Sequence, residues 1–185
     1  MDKFVALFAI ALIAAGCSQS TTPGPSMTTV GYAFAPPAAN TFCARQPGLC
    51  STAGKTAVMA LTDERMNDLK QVNASVNRRI TQRNDAVTAS GSDNWRLPTT
   101  VGDCEDIAIL KKSELRKRGW PASTLLLTVA HYRGAGHTVL TVRTDKGDLI
   151  LDNLTGSVRN WKSTPYRYFA RQSQFETGRW SRIGA

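Results

Sequence analysis

The 185-residue chain is poor in histidine and in long apolar runs, and each shortage narrows its possible functions. Its two histidines, His131 and His137, leave few choices for a catalytic base that titrates near neutral pH. The apolar run over residues 4–15 is too short to span a bilayer. No nucleic-acid motif occurs, and the arginines do not alternate with aromatic residues along one element. We therefore expect no nucleic acid partner.

Acidic residues are also scarce, because the chain has 14 Asp and Glu but 23 Lys and Arg, which gives a net charge of +9. One interpretation is a solvated basic face. The other is attraction to an anionic envelope surface or to an acidic protein partner. A hydrophobic content of 42% fits one globular domain with a real core.

The N-terminus has the pattern of an export signal. Residues 4–15 form an apolar core of the usual length, and residues 14–17 (AAGC) resemble a bacterial lipoprotein cleavage box. This predicts a signal peptide over residues 1–16 and a lipidated Cys17 that attaches a periplasmic protein to the membrane. The alternative is ordinary cleavage nearby and a free periplasmic protein. Residues 17–40, rich in Ser, Thr, Pro and Gly, are predicted to be a flexible tether before a domain over residues 41–185.

The other three cysteines fall into two groups. Cys43 and Cys50 lie seven residues apart, with Pro47 and Gly48 turning the chain between them, so a local disulfide is reasonable in an oxidising compartment. Cys104 is then the odd thiol. It is either a buried inert residue, the commoner fate of a lone cysteine, or a reactive one.

The apolar periodicity predicts helices first and strands afterwards. One helix opens at Thr62 and a second follows Asp103, because each has a capping side chain, acidic residues in its first turn and an apolar stripe. After Gly119 the period changes to that of strands. Strands are predicted over residues 124–130, 137–143 and 149–152, and further strands near 166–170 and 179–183. This order predicts an α+β fold, with N-terminal helices packed on an antiparallel sheet.

Cys104 has the position of a nucleophile. It follows Asp103 at the start of a helix, where the helix dipole favours the thiolate. Such a cysteine needs a base, and His137 with Asp152 could supply the base and the group that orients it. The alternative is that both residues are structural, with His137 a polar residue at the end of a strand and Asp152 a turn residue.

Strand geometry argues against simple contact between these two residues. A two-residue loop at Lys146 and Gly147 sets Asp152 opposite Thr141, which is roughly 13 Å from His137 along the strand at about 3.3 Å per residue. Contact then requires a wider loop, a bulge or strong twist.

Several segments resemble the bacterial transglutaminase-like cysteine proteinases. They are residues 102–106 (GDCED), 119–121 (GWP), 136–142 (GHTVLTV) and 151–153 (LDN), supported by Cys43, Pro47 and Cys50, by Val72-Asn73 with Val76-Asn77, and by Trp95 with Pro98. The resemblance covers roughly residues 40–183. It implies a papain-like fold, in which a cysteine at a helix N-terminus packs against an antiparallel sheet.

The resemblance also implies chemistry. It implies a Cys104–His137–Asp152 triad, acyl transfer through a thioester, and a calcium ion bound by Asp103 and Glu105, which flank the nucleophile. The expected function is a calcium-dependent periplasmic cysteine endopeptidase that acts on a protein substrate, for example a surface adhesin whose cleavage releases cells from biofilms. Two alternatives stay open: a transglutaminase or amidase with the same triad, and a non-catalytic lipoprotein that uses the fold as a binding module.

Overall fold

The computed structural model describes residues 24–85 and 93–184. The predicted signal peptide and Cys17 lie outside the described residues. Four α-helices occur in this part of the chain: α1 (Pro37–Arg45), α2 (Pro47–Cys50), α3 (Asp63–Arg79) and α4 (Cys104–Lys117). None of the helices within the described ranges is long and apolar enough to cross a membrane.

A seven-stranded antiparallel sheet forms the second layer of the fold. Its strands are β1 (Thr29–Ala33), β4 (Leu125–Tyr132), β5 (Ala135–Thr144), β6 (Gly147–Asp152), β7 (Thr155–Asn160), β8 (Arg167–Gln172) and β9 (Trp180–Ile183). The spatial order is β1-β9-β8-β4-β5-β6-β7. Two further strands, β2 (Thr81–Gln82) and β3 (Val101–Gly102), form a short parallel pair just before α4. The predicted α+β fold is confirmed.

The two long helices begin where the sequence predicted. The Thr62 side chain caps α3 by accepting a hydrogen bond from the Arg65 backbone N–H, and Asp103 caps α4 in the same way. Both helices bury apolar side chains against one face of the sheet. This main core contains Leu69, Val72, Val76, Ile107, Leu115, Leu125, Leu127, Leu140 and Val142. A smaller cluster around Val139 and Ile150 lies on the opposite face, because neighbouring strand residues alternate between faces.

The predicted tether over residues 17–40 extends too far. β1 pairs with β9, and α1 begins at Pro37, so the folded domain starts before residue 41. The buried Asp148 carboxylate accepts hydrogen bonds from the Met27 backbone N–H at 2.8 Å and from the Arg171 guanidinium at 2.9 Å. Ser, Thr, Pro and Gly suggested a linker, but an edge strand needs only backbone pairing and so leaves little trace in composition.

The local disulfide is confirmed, because Cys43 at the end of α1 is bonded to Cys50 at the end of α2. These two short helices were not predicted. Each begins at a proline, a residue suited to a first turn, where its missing N–H is not needed.

Candidate active site

Cys104 is the first residue of α4 and follows β3 after the single N-cap residue Asp103. The Asp103 carboxylate accepts a hydrogen bond from the Asp106 backbone N–H at 3.4 Å, which fixes the start of the helix. Gly102 is required just before it, because a Cβ at that position would lie 2.8 Å from the Asp106 Cβ. As the first helical residue, Cys104 leaves its own N–H without an intrahelical acceptor. The sequence thus presents the sulfur and a free amide at the same point.

The sulfur of Cys104 has two polar contacts. Its thiol donates to the Glu105 carboxylate at 2.9 Å, and it accepts from the Thr138 backbone N–H at 3.3 Å. Within the described residues, no hydrogen bond joins this sulfur to His137. Burial raises the pKa of the Cys104 thiol, and the Glu105 carboxylate raises it further. The arrangement therefore holds a protonated thiol rather than a thiolate.

His137 and Asp152 are in direct contact. The Nε2 atom of His137 lies 3.0 Å from the Oδ1 atom of Asp152, and both side chains are buried. Burial opposes the charge on Asp152, but hydrogen bonds from His137 and Tyr166 outweigh burial and lower the pKa of this carboxyl. An ionised carboxylate only accepts, so Nε2 carries the proton and Nδ1 is free to accept one.

This contact requires a different hairpin register from the one expected. The β5–β6 loop is Asp145 and Lys146, since Thr144 pairs with Gly147 and Leu140 pairs with Leu151. The predicted loop at Lys146 and Gly147 is therefore wrong by one residue. The pairing shifts by two residues and brings Asp152 opposite Val139, diagonally across from His137. Diagonal neighbours are within reach of polar side chains of this length.

Cys104 and His137 line the same cleft, which has a volume of about 360 Å³. Glu105 and Thr138 share that lining. One rim is apolar, formed by Phe34 and Phe169 among others. Phe34, in the β1–α1 connection, is 96% exposed, so its ring is available to contact a ligand bound in the cleft.

The acidic residues near the nucleophile form a cluster that differs from the expected pair. Carboxylate oxygens of Asp85, Asp93 and Asp103 all lie within 4.8 Å of one another. Calcium binds oxygen at 2.3–2.6 Å, so two ligand oxygens can be about 5 Å apart, and the cluster fits such an ion. Glu105 is not one of these three residues, and one of its carboxylate oxygens accepts from the Cys104 thiol. The pKa of Glu105 is raised to about 9, mainly by burial and next by the hydrogen bond between its side chain and Asp93.

Trp95 packs in the core. It is 1% exposed, and its indole N–H donates to the Asp93 carboxylate at 3.0 Å. That N–H is therefore engaged with Asp93, so it cannot at the same time donate to an oxyanion. The backbone N–H of Cys104 is the better candidate donor.

Sequence reasoning missed three polar residues of this region. Asp85 and Asp93 come close to Asp103 only through tertiary packing. The Tyr166 hydroxyl donates a hydrogen bond to the Asp152 carboxylate. The acidic loop residues before Cys104 were a weak signal for the first two. Tyr166 is the first residue of the strand predicted near residues 166–170, where an aromatic residue is ordinary.

These features define the class: an α+β protein of the transglutaminase-like type, with a cysteine at a helix N-terminus and a His–Asp pair on adjacent strands. The chain belongs to the bacterial transglutaminase-like cysteine proteinase family, whose sequence model matches residues 29–185. It is therefore a member of a cysteine proteinase family.

Solved structures of LapG from Legionella pneumophila are similar to this chain. The calcium-bound form is 24% identical over 82% of this chain and 84% of that chain, with a TM-score of 0.55. Two others, LapG and its EGTA-treated form, are each 25% identical over 76% of both chains, with a TM-score of 0.52. No curated protein matches the chain.

Proposed function

We propose that this protein is a calcium-dependent cysteine endopeptidase of the periplasm, with Cys104 as nucleophile, His137 as base and Asp152 as the residue that orients the base. The observation that carries the proposal is the 3.0 Å contact between His137 and Asp152 at the wall of the cleft that Cys104 lines. Family membership supplies the peptidase class.

The reaction follows from the free Nδ1 atom of His137. This atom takes the thiol proton, and the Cys104 sulfur attacks the peptide carbonyl carbon. The backbone N–H of Cys104 stabilises the oxyanion. The C–N bond breaks, and the leaving amine takes the proton from His137, which leaves a thioester. Water then gives a proton to His137 and attacks the thioester; the C–S bond breaks, the acid is released and the sulfur regains its proton.

The acidic residues beside Cys104 need a cation for this chemistry. Burial raises the pKa of Asp103, and the nearby Asp85 and Asp93 carboxylates raise it further because like charges repel. A bound calcium ion would neutralise these charges and favour the thiolate. Asp103 and Glu105 are the ligands that the family resemblance implies, and Asp85 and Asp93 are the additional ones that the clustering favours.

Calcium titration by calorimetry tests the site apart from catalysis. Asp103→Ala and Asp93→Asn should each weaken binding at least tenfold, because each removes a charged ligand. Asp68→Ala is the matched control, since Asp68 is an acidic residue that pairs with Arg118 at the surface. Equal binding by wild type and Asp103→Ala excludes Asp103 as a ligand.

The substrate is proposed to be a protein at the cell surface, of the adhesin type. A lipid on Cys17 would restrict the enzyme to substrates near the membrane. Fatty-acid labelling of cells tests this attachment: label in wild type that disappears in Cys17→Ser supports it, and label that persists in the variant contradicts it.

The decisive experiment compares cells that express wild type with cells that express Cys104→Ala. Proteomics of shed surface proteins should find fragments that only the wild type releases, and chelation of calcium should suppress them. Identical fragments from both strains would refute the peptidase. A labelled amine added with a protein acceptor separates hydrolysis from transfer, because stable incorporation of the label indicates a transferase.

A further inference from the structure

The carboxylate of Asp152 has more partners than a Cys–His–Asp triad needs. Its Oδ1 atom faces Nε2 of His137 at 3.0 Å and accepts from the Leu154 backbone N–H at 3.1 Å. Its Oδ2 atom accepts from the Tyr166 hydroxyl. The backbone carbonyl of Asp152 accepts from the Asn77 side-chain amide at 2.9 Å. Both carboxylate oxygens and the carbonyl are therefore held.

Tyr166 lies just before β8, beside the imidazole. Its ring centroid is 5.0 Å from that of His137 and 5.2 Å from that of Tyr132. Burial raises the pKa of the Tyr166 phenol, and the Asp152 carboxylate raises it further. The phenol therefore stays protonated and acts as the donor in this hydrogen bond.

We propose that Tyr166 is a positioning residue for the reaction of Cys104: by holding Oδ2 of Asp152 it turns Oδ1 toward His137 and fixes the imidazole tautomer. The proposal rests on the proposed peptidase function. A carboxylate held at one oxygen only can rotate about its last side-chain bond. A second donor from a different element removes that freedom, and so the imidazole ring keeps one orientation.

Removal of the phenol would also leave Oδ2 buried without a donor, because Asp152 is 3% exposed. Burial favours the neutral acid, so the pKa of Asp152 rises when a hydrogen bond to its charged form is lost. The carboxylate then becomes protonated at a higher pH. Other titratable groups around Asp152 stay in place in such a variant; they are His137 on β5, Lys111 on α4, Arg159 on β7 and Tyr168 on β8.

Tyr166→Phe is the test, because it keeps the ring and deletes only the hydroxyl. A hydrogen bond to a charged group contributes enough to change a rate about tenfold. We expect kcat to fall about tenfold with KM nearly unchanged, and the acid limb of the pH–kcat profile to move up by about one pH unit. If the role of Tyr166 were only structural, the acid limb of the pH–kcat profile would stay at its wild-type position.

Tyr168→Phe is the matched control. Its hydroxyl pairs with the Thr164 hydroxyl at 2.9 Å, and its ring lies 6.1 Å from that of Tyr166. We expect its kcat and acid limb to match the wild type. The proposal is overturned if Tyr166→Phe keeps both wild-type values, or if Tyr168→Phe loses as much activity.

A second measurement does not depend on peptidase activity. The chain has two histidines, so long-range ¹H–¹⁵N spectra of the full chain resolve the tautomer of His137. In wild type we expect the form protonated at Nε2, and in Tyr166→Phe a mixture of both tautomers. If wild type cleaves no protein but its tautomer responds in this way, the peptidase proposal fails and the positioning role stands. An unchanged tautomer ratio in Tyr166→Phe overturns the positioning role itself.

Discussion

Replacement of Lys111 by methionine is predicted to stabilise the folded chain. Lys111 lies on α4 with no exposed surface, and its ammonium has no hydrogen-bond partner among the described residues. Burial lowers the pKa of Lys111 from 10.5 to about 7, and the charge of Asp152 opposes this only in part. Methionine fills a similar space without a charge.

The expected gain follows from that pKa. The difference between 10.5 and about 7 is about 3.5, which corresponds to about 5 kcal/mol of penalty at low pH. Relaxation around a buried charge reduces this value, and apolar replacement of buried ions gains about 1–4 kcal/mol. We expect about 2 kcal/mol, or about 4–8 °C in Tm for a domain of this size.

The gain should depend on pH. The folded-state pKa lies below the unfolded one, so the folded chain binds fewer protons and wild-type stability rises with pH between about 7 and 10.5. The penalty is complete below about pH 7 and disappears above 10.5. The advantage of Lys111→Met is therefore largest near pH 6 and small near pH 10.5.

Urea unfolding followed by tryptophan fluorescence at both pH values measures this difference. Lys117→Met is the matched control, because Lys117 is an exposed lysine of the same helix. It should change stability by less than about 0.5 kcal/mol at either pH. A Lys111→Met protein that is no more stable than wild type near pH 6, or equally stabilised at both pH values, would refute the reasoning.

Three further predictions concern other contacts. Asp148→Asn should cost about 3 kcal/mol in urea unfolding, because it leaves the buried Arg171 guanidinium without a charged partner; a loss below about 1 kcal/mol would contradict this. Cys50→Ser should cost about 2 kcal/mol by opening the disulfide, and reductant should then destabilise wild type but not the variant. Phe34→Ala should raise KM about tenfold with kcat unchanged, whereas Phe175→Ala, an exposed phenylalanine outside the cleft lining, should match wild type. Equal effects of the two substitutions would show that Phe34 does not contribute to substrate binding.

Local patterns predicted the parts of the fold that depend on local physics. Caps at Thr62 and Asp103, and the apolar stripes after them, identified the two long helices. Alternation after Gly119 identified most strands of the sheet. The edge strands β1 and β7 were missed, because an edge strand is only half buried and its sequence need not alternate.

The site was predictable only as far as residue types allowed. A lone cysteine behind a capping aspartate and a scarce histidine pointed to Cys104 and His137. The contact between His137 and Asp152 depended on a turn that begins one residue earlier than expected, and no local rule fixed that turn. The grouping of Asp85 and Asp93 with Asp103 depended on tertiary packing, which spacing does not reveal.

β1 leads directly into Phe34, at the rim of the cleft. The chain is already held to the sheet before β1, because the Met27 backbone N–H donates to the buried Asp148 carboxylate and the Pro25 carbonyl accepts from the Trp161 indole N–H. If Cys17 is anchored, tension along the N-terminus meets these contacts before it reaches β1 and Phe34. The rim is then shielded from load on the anchor, so the width of the substrate entrance would not change with the distance between the enzyme and the membrane.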